Sequence, residues 1–197
     1  FSPPRIDQKV IDEVVDTLKS GWITTGPKTK EFERRLTAYC GNKATLAVNS
    51  NTVGLEVVLR WFGVQEGDEV IVPAYTYCAT ANVIVHCGAK PVMVDVNADD
   101  FDVCLENVRR AITDKTKVII PVDIAGVMCD YRRIFEIVER KKGLFHPSNE
   151  IQEKFGRVIV LDDAAHAFGA SRDGKMCGEV ADFTSFSFHA VKNLTTA

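Results

Sequence analysis

The sequence is short of several things that would direct a first reading. No apolar run in its 197 residues approaches the length that crosses a bilayer, and the first residues show no signal-peptide pattern, so no membrane partner is expected. Basic charge is not in excess: 24 Lys and Arg face 27 Asp and Glu, for a formal net charge of −3, and no basic run is interleaved with aromatics. A nucleic-acid partner is therefore not expected. The six cysteines (Cys40, Cys78, Cys87, Cys104, Cys129 and Cys177) form no C-x-x-C pair and have no histidine at ligand spacing. That argues against a disulfide framework and a metal site, and for a reducing, cytoplasmic setting. Internal repeats, low-complexity tracts and linkers are missing too. What remains, 46% apolar and 26% charged residues, is the composition of a folded domain with a real core.

Ile6, Val10, Ile11, Val14, Val15 and Leu18 fall at helical spacing, and Gly21 ends that helix. Trp22 to Pro27 is a loop with turn chemistry at Gly26-Pro27, and Phe32, Leu36 and Tyr39 mark a second helix. Ala44–Val48 reads as a short strand, followed by the helix-start residues Asn49-Ser50-Asn51-Thr52. Glu69–Val72, Pro91–Val94, Lys117–Pro121 and Arg157–Leu161 read as further strands, with helices expected over 79–86, 103–112 and 134–140. Residues 143–154 are polar and are expected to form an exposed insertion. Phe183, Phe186 and Phe188, interleaved with Ser185 and Ser187, read as a last buried strand whose hydroxyls face something polar. Apolar strands alternating with helices predict an α/β fold, a mostly parallel sheet with helices on both faces. In such sheets ligands gather at the carboxyl ends of the strands.

Four groups stand at those ends. Asn49 to Thr52 opens a helix, either as a phosphate cup of free N–H groups and hydroxyls or as an ordinary cap. Tyr75 and Tyr77 follow the next strand, where an aromatic either stacks on a flat heterocycle or packs on the rim. Asp162-Asp163-Ala-Ala-His166 ends the cleanest strand, and two carboxylates there are costly to bury without partners. One of them suits a pyridinium N–H. A metal is the rival, but no other histidine or carboxylate is arranged for it nearby in sequence. Lys192 follows the last strand, either as a surface amine or as a Schiff-base lysine.

Taken in order, these segments resemble the DegT/DnrJ/EryC1/StrS family of sugar aminotransferases, enzymes of fold type I that use pyridoxal 5'-phosphate (PLP). The resemblance runs through Ser20-Gly-Trp-Ile-Thr-Thr-Gly-Pro27, Glu31-Phe-Glu33, Asn49-Ser-Asn-Thr52, Gly67-Asp-Glu-Val-Ile-Val-Pro73, Gly88-Ala-Lys-Pro91 with Asp95, Asp162-Asp-Ala-Ala-His166 and Phe186-Ser-Phe-His-Ala-Val-Lys192. It implies that Lys192 forms the Schiff base with the cofactor, that Asp163 pairs with the pyridine nitrogen, and that His166 lies near the phenolic oxygen or ring face. It places Tyr77 against the ring, gives the phosphate to Thr52, the backbone of Asn51 and Ser187, and sets Thr24 and Thr25 near the substrate entrance. Asn51 stands where the family usually has glycine, and a left-handed turn there is expected to survive because Asn tolerates that backbone.

By the same resemblance the amino donor is glutamate, the acceptor a nucleotide-linked keto-sugar, and the working form a homodimer with shared active sites. The family continues past the position of Ala197 into the rest of the large domain and a small domain, so the chain is expected to be an incomplete large domain, inactive by itself. It opens on Phe1 rather than Met, so a missing residue or tag is expected there. A sugar dehydratase of the same superfamily, which carries His at the lysine position, and a non-catalytic fold-type-I remnant are the alternatives; an inositol-type ketone is an alternative acceptor.

Overall fold

The computed structural model describes residues 3–196. Its centre is a five-stranded sheet in which every neighbouring pair is parallel. The strands are β1 (Glu69–Pro73), β2 (Lys90–Val94), β3 (Thr116–Ile119), β4 (Ile159–Ala164) and β7 (Phe183–Phe186), in the order β2-β1-β3-β4-β7. Two short strands, β5 (Ser171–Arg172) and β6 (Lys175–Met176), form a separate hairpin between β4 and β7. The helices are α1 (Gln8–Ser20), α2 (Pro27–Cys40), α3 (Asn51–Phe62), α4 (Cys78–His86), α5 (Leu105–Ala111), α6 (Tyr131–Lys141) and α7 (Glu150–Phe155).

β1, β3 and β4 are buried along their whole length, which is why they read as unbroken apolar runs rather than alternating ones. Ile71, Ile119, Ile159 and Leu161 meet Leu55, Leu59 and Phe62 of α3 and Ile134 and Val138 of α6 in one continuous core. Each such fully buried aliphatic side chain contributes about 1.5–3 kcal/mol relative to exposure. Caps set the helix limits. Ser50 Oγ accepts from the Val53 N–H at 3.2 Å to start α3, and Gly63, at φ 80°, ends it in the left-handed region that a glycine enters without strain.

One expectation is corrected, and one segment gains structure. Ala44–Val48 forms no strand; Leu46 and Val48 are exposed, and no strand among the described residues pairs with them. Residues 143–154 are exposed at most positions but are not a bare loop. They carry a turn and α7, bury Phe145, and place Gln152 wholly inside, where its Nε2 donates to the Phe62 carbonyl at 2.9 Å. A buried glutamine with its amide satisfied is a pin between α7 and the end of α3, a role polarity alone does not reveal.

The strand order reverses direction between β1 and β3: the chain leaves β1 outward to β2, then returns to the other side of β1 to lay down β3. Connections beyond the carboxyl ends of β1 and β3 therefore diverge and leave a crevice, the place where sheets of this kind bind ligands.

Candidate active site

Asp163 and Asp162 close β4, and the pleat sends them to opposite sides. Asp163 is buried. Its Oδ2 accepts from Thr80 Oγ1 at 2.8 Å, and its Oδ1 accepts from the Ala165 N–H at 3.3 Å. Burial pushes this carboxyl up, while the Thr80 hydroxyl, the Ala165 N–H and the Asn51 amide hold it down. Thr80 is itself fully buried in the first turn of α4, so β1, α4 and β4 meet at this carboxylate.

His166 follows on the solvent side. Its Nδ1 lies 3.3 Å from the backbone nitrogen of Ala125, in the loop after β3. Desolvation by its neighbours and the Lys192 ammonium lower its pKa, and the Asp163 carboxylate works the other way. Asp163, His166 and Lys192 are therefore electrostatic neighbours. Lys192 is half-buried in a turn pinned at three points: its own N–H donates to the His189 carbonyl at 2.8 Å, Asn193 Nδ2 to the Phe168 carbonyl at 2.7 Å, and the Thr196 N–H to the Phe188 carbonyl at 3.1 Å. Phe168 stacks on Tyr39 and packs edge-on against Phe186 and Phe188, fastening this turn to α2 and to the segment after β4.

The amino end of α3 faces the same region through β7. Asn51 Nδ2 donates to the Ser185 carbonyl at 2.7 Å, and Ser185 Oγ donates back to the Asn51 carbonyl at 3.0 Å. Thr52 and Ser187 are half-buried on either side of that latch. Asn51 is helical, not left-handed: the positive-φ residues other than glycine among those described are Phe101, Ala125 and Asp173. The expected strain at Asn51 is thus absent, and its side chain is committed to β7. Ser50 serves as the N-cap, which is the ordinary reading of that position.

The remaining expected residues are not drawn in. Tyr77 is the residue before α4 and is 77% exposed. Thr24 and Thr25 lie in the exposed loop between α1 and α2, where the Thr25 carbonyl accepts from Trp22 Nε1 at 2.9 Å. Among the described residues no hydrogen bond joins either threonine to Asp163, His166 or Lys192. Thr80 and Ala125 were not singled out from sequence; the signal available was that both follow carboxyl ends of strands flanking the crevice.

On the other side of β4, Asp162 meets Asp123 and Cys177, all fully or almost fully buried. Cys177 Sγ lies 3.6 Å from a carboxylate oxygen of each, and Asp123 Oδ1 accepts from the Cys129 N–H and the Tyr131 hydroxyl, both at 2.9 Å. Asp162 Oδ1 has no partner among the described residues. Linear spacing gave no hint of this gathering, whose donor atoms lie within 4.8 Å of one another. Burial pushes the Asp123 carboxyl up to about 6 against the hydrogen bonds from Cys129 and Tyr131, and burial with repulsion from Asp123 pushes Asp162 well above its ordinary value, so the pair holds a proton where isolated carboxylates do not.

The sequence profile of the DegT/DnrJ/EryC1/StrS aminotransferase family matches residues 4–197. The chain belongs to that family. Its relatives include the spore coat polysaccharide biosynthesis protein SpsC of Bacillus subtilis, 38% identical over 100% of this chain and 46% of SpsC. The UDP-4-amino-4-deoxy-L-arabinose–oxoglutarate aminotransferase of Shewanella sediminis is 40% identical over 98% of this chain and 46% of its own length. Among solved structures, Spr1654 of Streptococcus pneumoniae in its PMP form superposes with a TM-score of 0.97 at 56% identity, over 99% of this chain and 49% of that one; a PLP form is known as well. The chain thus spans about half the length of the relatives it matches. The family's cofactor is PLP, and the donor set here suits it: a buried carboxylate held by hydroxyl and amide donors, an imidazole and a primary amine as electrostatic neighbours, and a helix amino end alongside. The family is one of aminotransferases linked to amino-sugar and polysaccharide biosynthesis, and the α/β fold with its parallel sheet is the expected one. No helix among the described residues is long and apolar enough to cross a membrane.

Proposed function

We propose that this chain carries the cofactor-binding half of a sugar aminotransferase that moves an amino group from glutamate to a nucleotide-linked keto-sugar. The observation that supports this most is the convergence of Asp163, His166 and Lys192 at the crevice between β1, β3 and β4. When bound, PLP supplies an electron sink that acidifies the α-carbon of an amino substrate.

This chain's residues then have separable tasks. Asp163, kept anionic by Thr80 and Ala165, holds a proton on the pyridine nitrogen. Lys192 Nζ holds the cofactor and moves the proton at the substrate's α-carbon. The amino end of α3, with Thr52 and the Asn51 N–H, and Ser187 hold the phosphate. Tyr77 covers the ring, and Thr24 and Thr25 meet substrate. The apolar side chains left exposed on α1 and beyond it, among them Val14, Leu18, Trp22 and Ile23, support a homodimer in which further protein covers them. The six free cysteines support a cytoplasmic setting.

The test is absorbance of the purified chain with PLP, borohydride reduction, and peptide mass analysis. A reduced adduct on Lys192 is expected, lost in Lys192→Ala. An adduct confined to another lysine overturns the assignment.

A further inference from the structure

Ala125 has φ 53° and ψ 19°, a left-handed backbone in a residue other than glycine, and Gly126 follows at φ 83°. Two consecutive left-handed residues are costly for an L-residue such as alanine, about 1–3 kcal/mol for the first, and persist only where the surroundings fix them. Here they do. The Asp123 N–H donates to the Asp163 carbonyl at 3.2 Å, the Gly126 N–H to the Asp123 carbonyl at 3.3 Å, and the Val127 N–H to the Ile124 carbonyl at 3.0 Å. Behind the loop, the Asp123 carboxylate holds the Cys129 N–H and the Tyr131 hydroxyl. In front, Gly126 lies so close to the His166 carbonyl oxygen that an added Cβ would approach it to 3.2 Å. The turn is therefore clamped between the end of β4 and His166, and its one exported group is the Ala125 N–H, aimed at His166 Nδ1 at 3.3 Å.

An N–H donor demands a lone pair on the nitrogen it meets. A proton on Nδ1 would set two N–H groups against each other, so both the Nδ1–H tautomer and the imidazolium are disfavoured. The charges facing His166 are the Lys192 ammonium and the Asp163 carboxylate; desolvation and the ammonium outweigh the carboxylate and also favour the neutral ring. We infer that Ala125 is a positioning residue whose backbone N–H, held in place by the clamped turn, fixes His166 as a neutral imidazole protonated on Nε2. His166 thereby offers a ligand a single hydrogen-bond donor, Nε2–H, and no positive charge. That this donor serves an anionic oxygen of PLP rests on the function proposed above; the tautomer does not.

The experiment is long-range ¹H–¹⁵N correlation NMR on the histidine-labelled chain without cofactor, with His166 assigned by its loss in His166→Gln. The expected result at neutral pH is an unprotonated Nδ1 and a protonated Nε2, with a titration midpoint below that of an ordinary histidine. A protonated Nδ1, or an imidazolium at neutral pH, overturns the inference. Ala125→Gly, which keeps the N–H and relieves the strain, should leave the tautomer unchanged. Ala125→Pro, which removes the N–H, should give mixed tautomers and a raised midpoint. An unchanged single tautomer in Ala125→Pro would show that the loop does not set it. Should that variant not fold, Gly126→Ala pushes the same turn off His166 and is read the same way. Failure of Lys192 to form an adduct would leave these results standing, so the two ideas fail separately.

Discussion

Thr80 and Asp163 stand 83 residues apart in sequence, yet their side chains meet at 2.8 Å with both residues buried. A hydroxyl has one proton, and Thr80 has three oxygens within reach: the Thr76 hydroxyl at 2.8 Å, the Tyr77 carbonyl at 3.1 Å and the Asp163 carboxylate. The carboxylate is the strongest acceptor, so Thr80 donates there and Thr76 donates to Thr80.

Thr80→Val keeps the shape and removes that donor. Stability near pH 8 should fall by about 1.5–3 kcal/mol, the range for a hydrogen bond to a charged group. The sign with pH follows from linkage. Thr80 lowers the Asp163 pKa, so its removal lifts that pKa further, and the deficit should shrink as the pH falls and Asp163 takes up a proton. Urea denaturation at pH 8 and pH 5 checks this. An equal loss at both would reduce Thr80 to a packing residue.

The pair behind β4 predicts a gain rather than a loss. Asp162 is fully buried with a carboxyl pushed well above its ordinary value of 3.8. A raised folded-state value means that folding is unhindered while both states are protonated. Above the unfolded value it becomes costlier, by about 1.4 kcal/mol per pH unit for one proton, until the folded group ionises. Asp162→Asn removes that cost, and its amide can donate to the Asp123 carboxylate. The variant should match the parent near pH 4 and exceed it increasingly between pH 5 and 8 in thermal or urea denaturation. Equal pH dependence in the two chains would show that Asp162 is ionised in the fold without penalty.

The middle of the sheet was legible because β1, β3 and β4 are buried on both faces and so appear as short apolar runs, closed at β1 by Pro73 and at β4 by Asp162-Asp163. Asp163 and Lys192 were candidates because of their places after strands and the family resemblance. Ala44–Val48 misled because an apolar run of strand length has no strand to pair with there. Gln152 misled because a polar residue inside a core is satisfied by a carbonyl 90 positions away, a partner that no local pattern reveals. Cys177 met Asp123 and Asp162 for the same reason, across 54 and 15 positions. The left-handed backbone of Ala125 could not be read from its residue type, since alanine carries no sequence signal for that conformation.

Titration of His166 should report on both of its charged neighbours. Lys192 lowers its pKa and Asp163 raises it, so Lys192→Ala should move the NMR titration midpoint up and Asp163→Asn should move it down. The shifts should weaken in high salt, because His166 is open to solvent. A midpoint indifferent to both substitutions would mean that the three groups do not share one site in solution.

Gly54 gives the latch between α3 and β7 a test independent of charge. An added Cβ at this position would stand 2.4 Å from Ser185 Oγ, the atom that donates to the Asn51 carbonyl, and 3.5 Å from Ser185 Cβ. Gly54→Ala should therefore destabilise the chain by displacing that hydroxyl, although alanine in a helix interior is intrinsically favoured over glycine by about 1 kcal/mol. In a Ser185→Ala background the clash is gone and the nearest remaining β7 atom is at ordinary contact distance. The same Gly54→Ala change should then become stabilising. Urea denaturation of the four chains forms the double-mutant cycle, and the sign of the Gly54→Ala effect is the readout. A reversal of sign would show that the close approach of α3 to β7 is set by the Ser185 hydroxyl. A loss of equal size in both backgrounds would place the obstruction elsewhere and detach Asn51 and Thr52 from the strand that leads to Lys192.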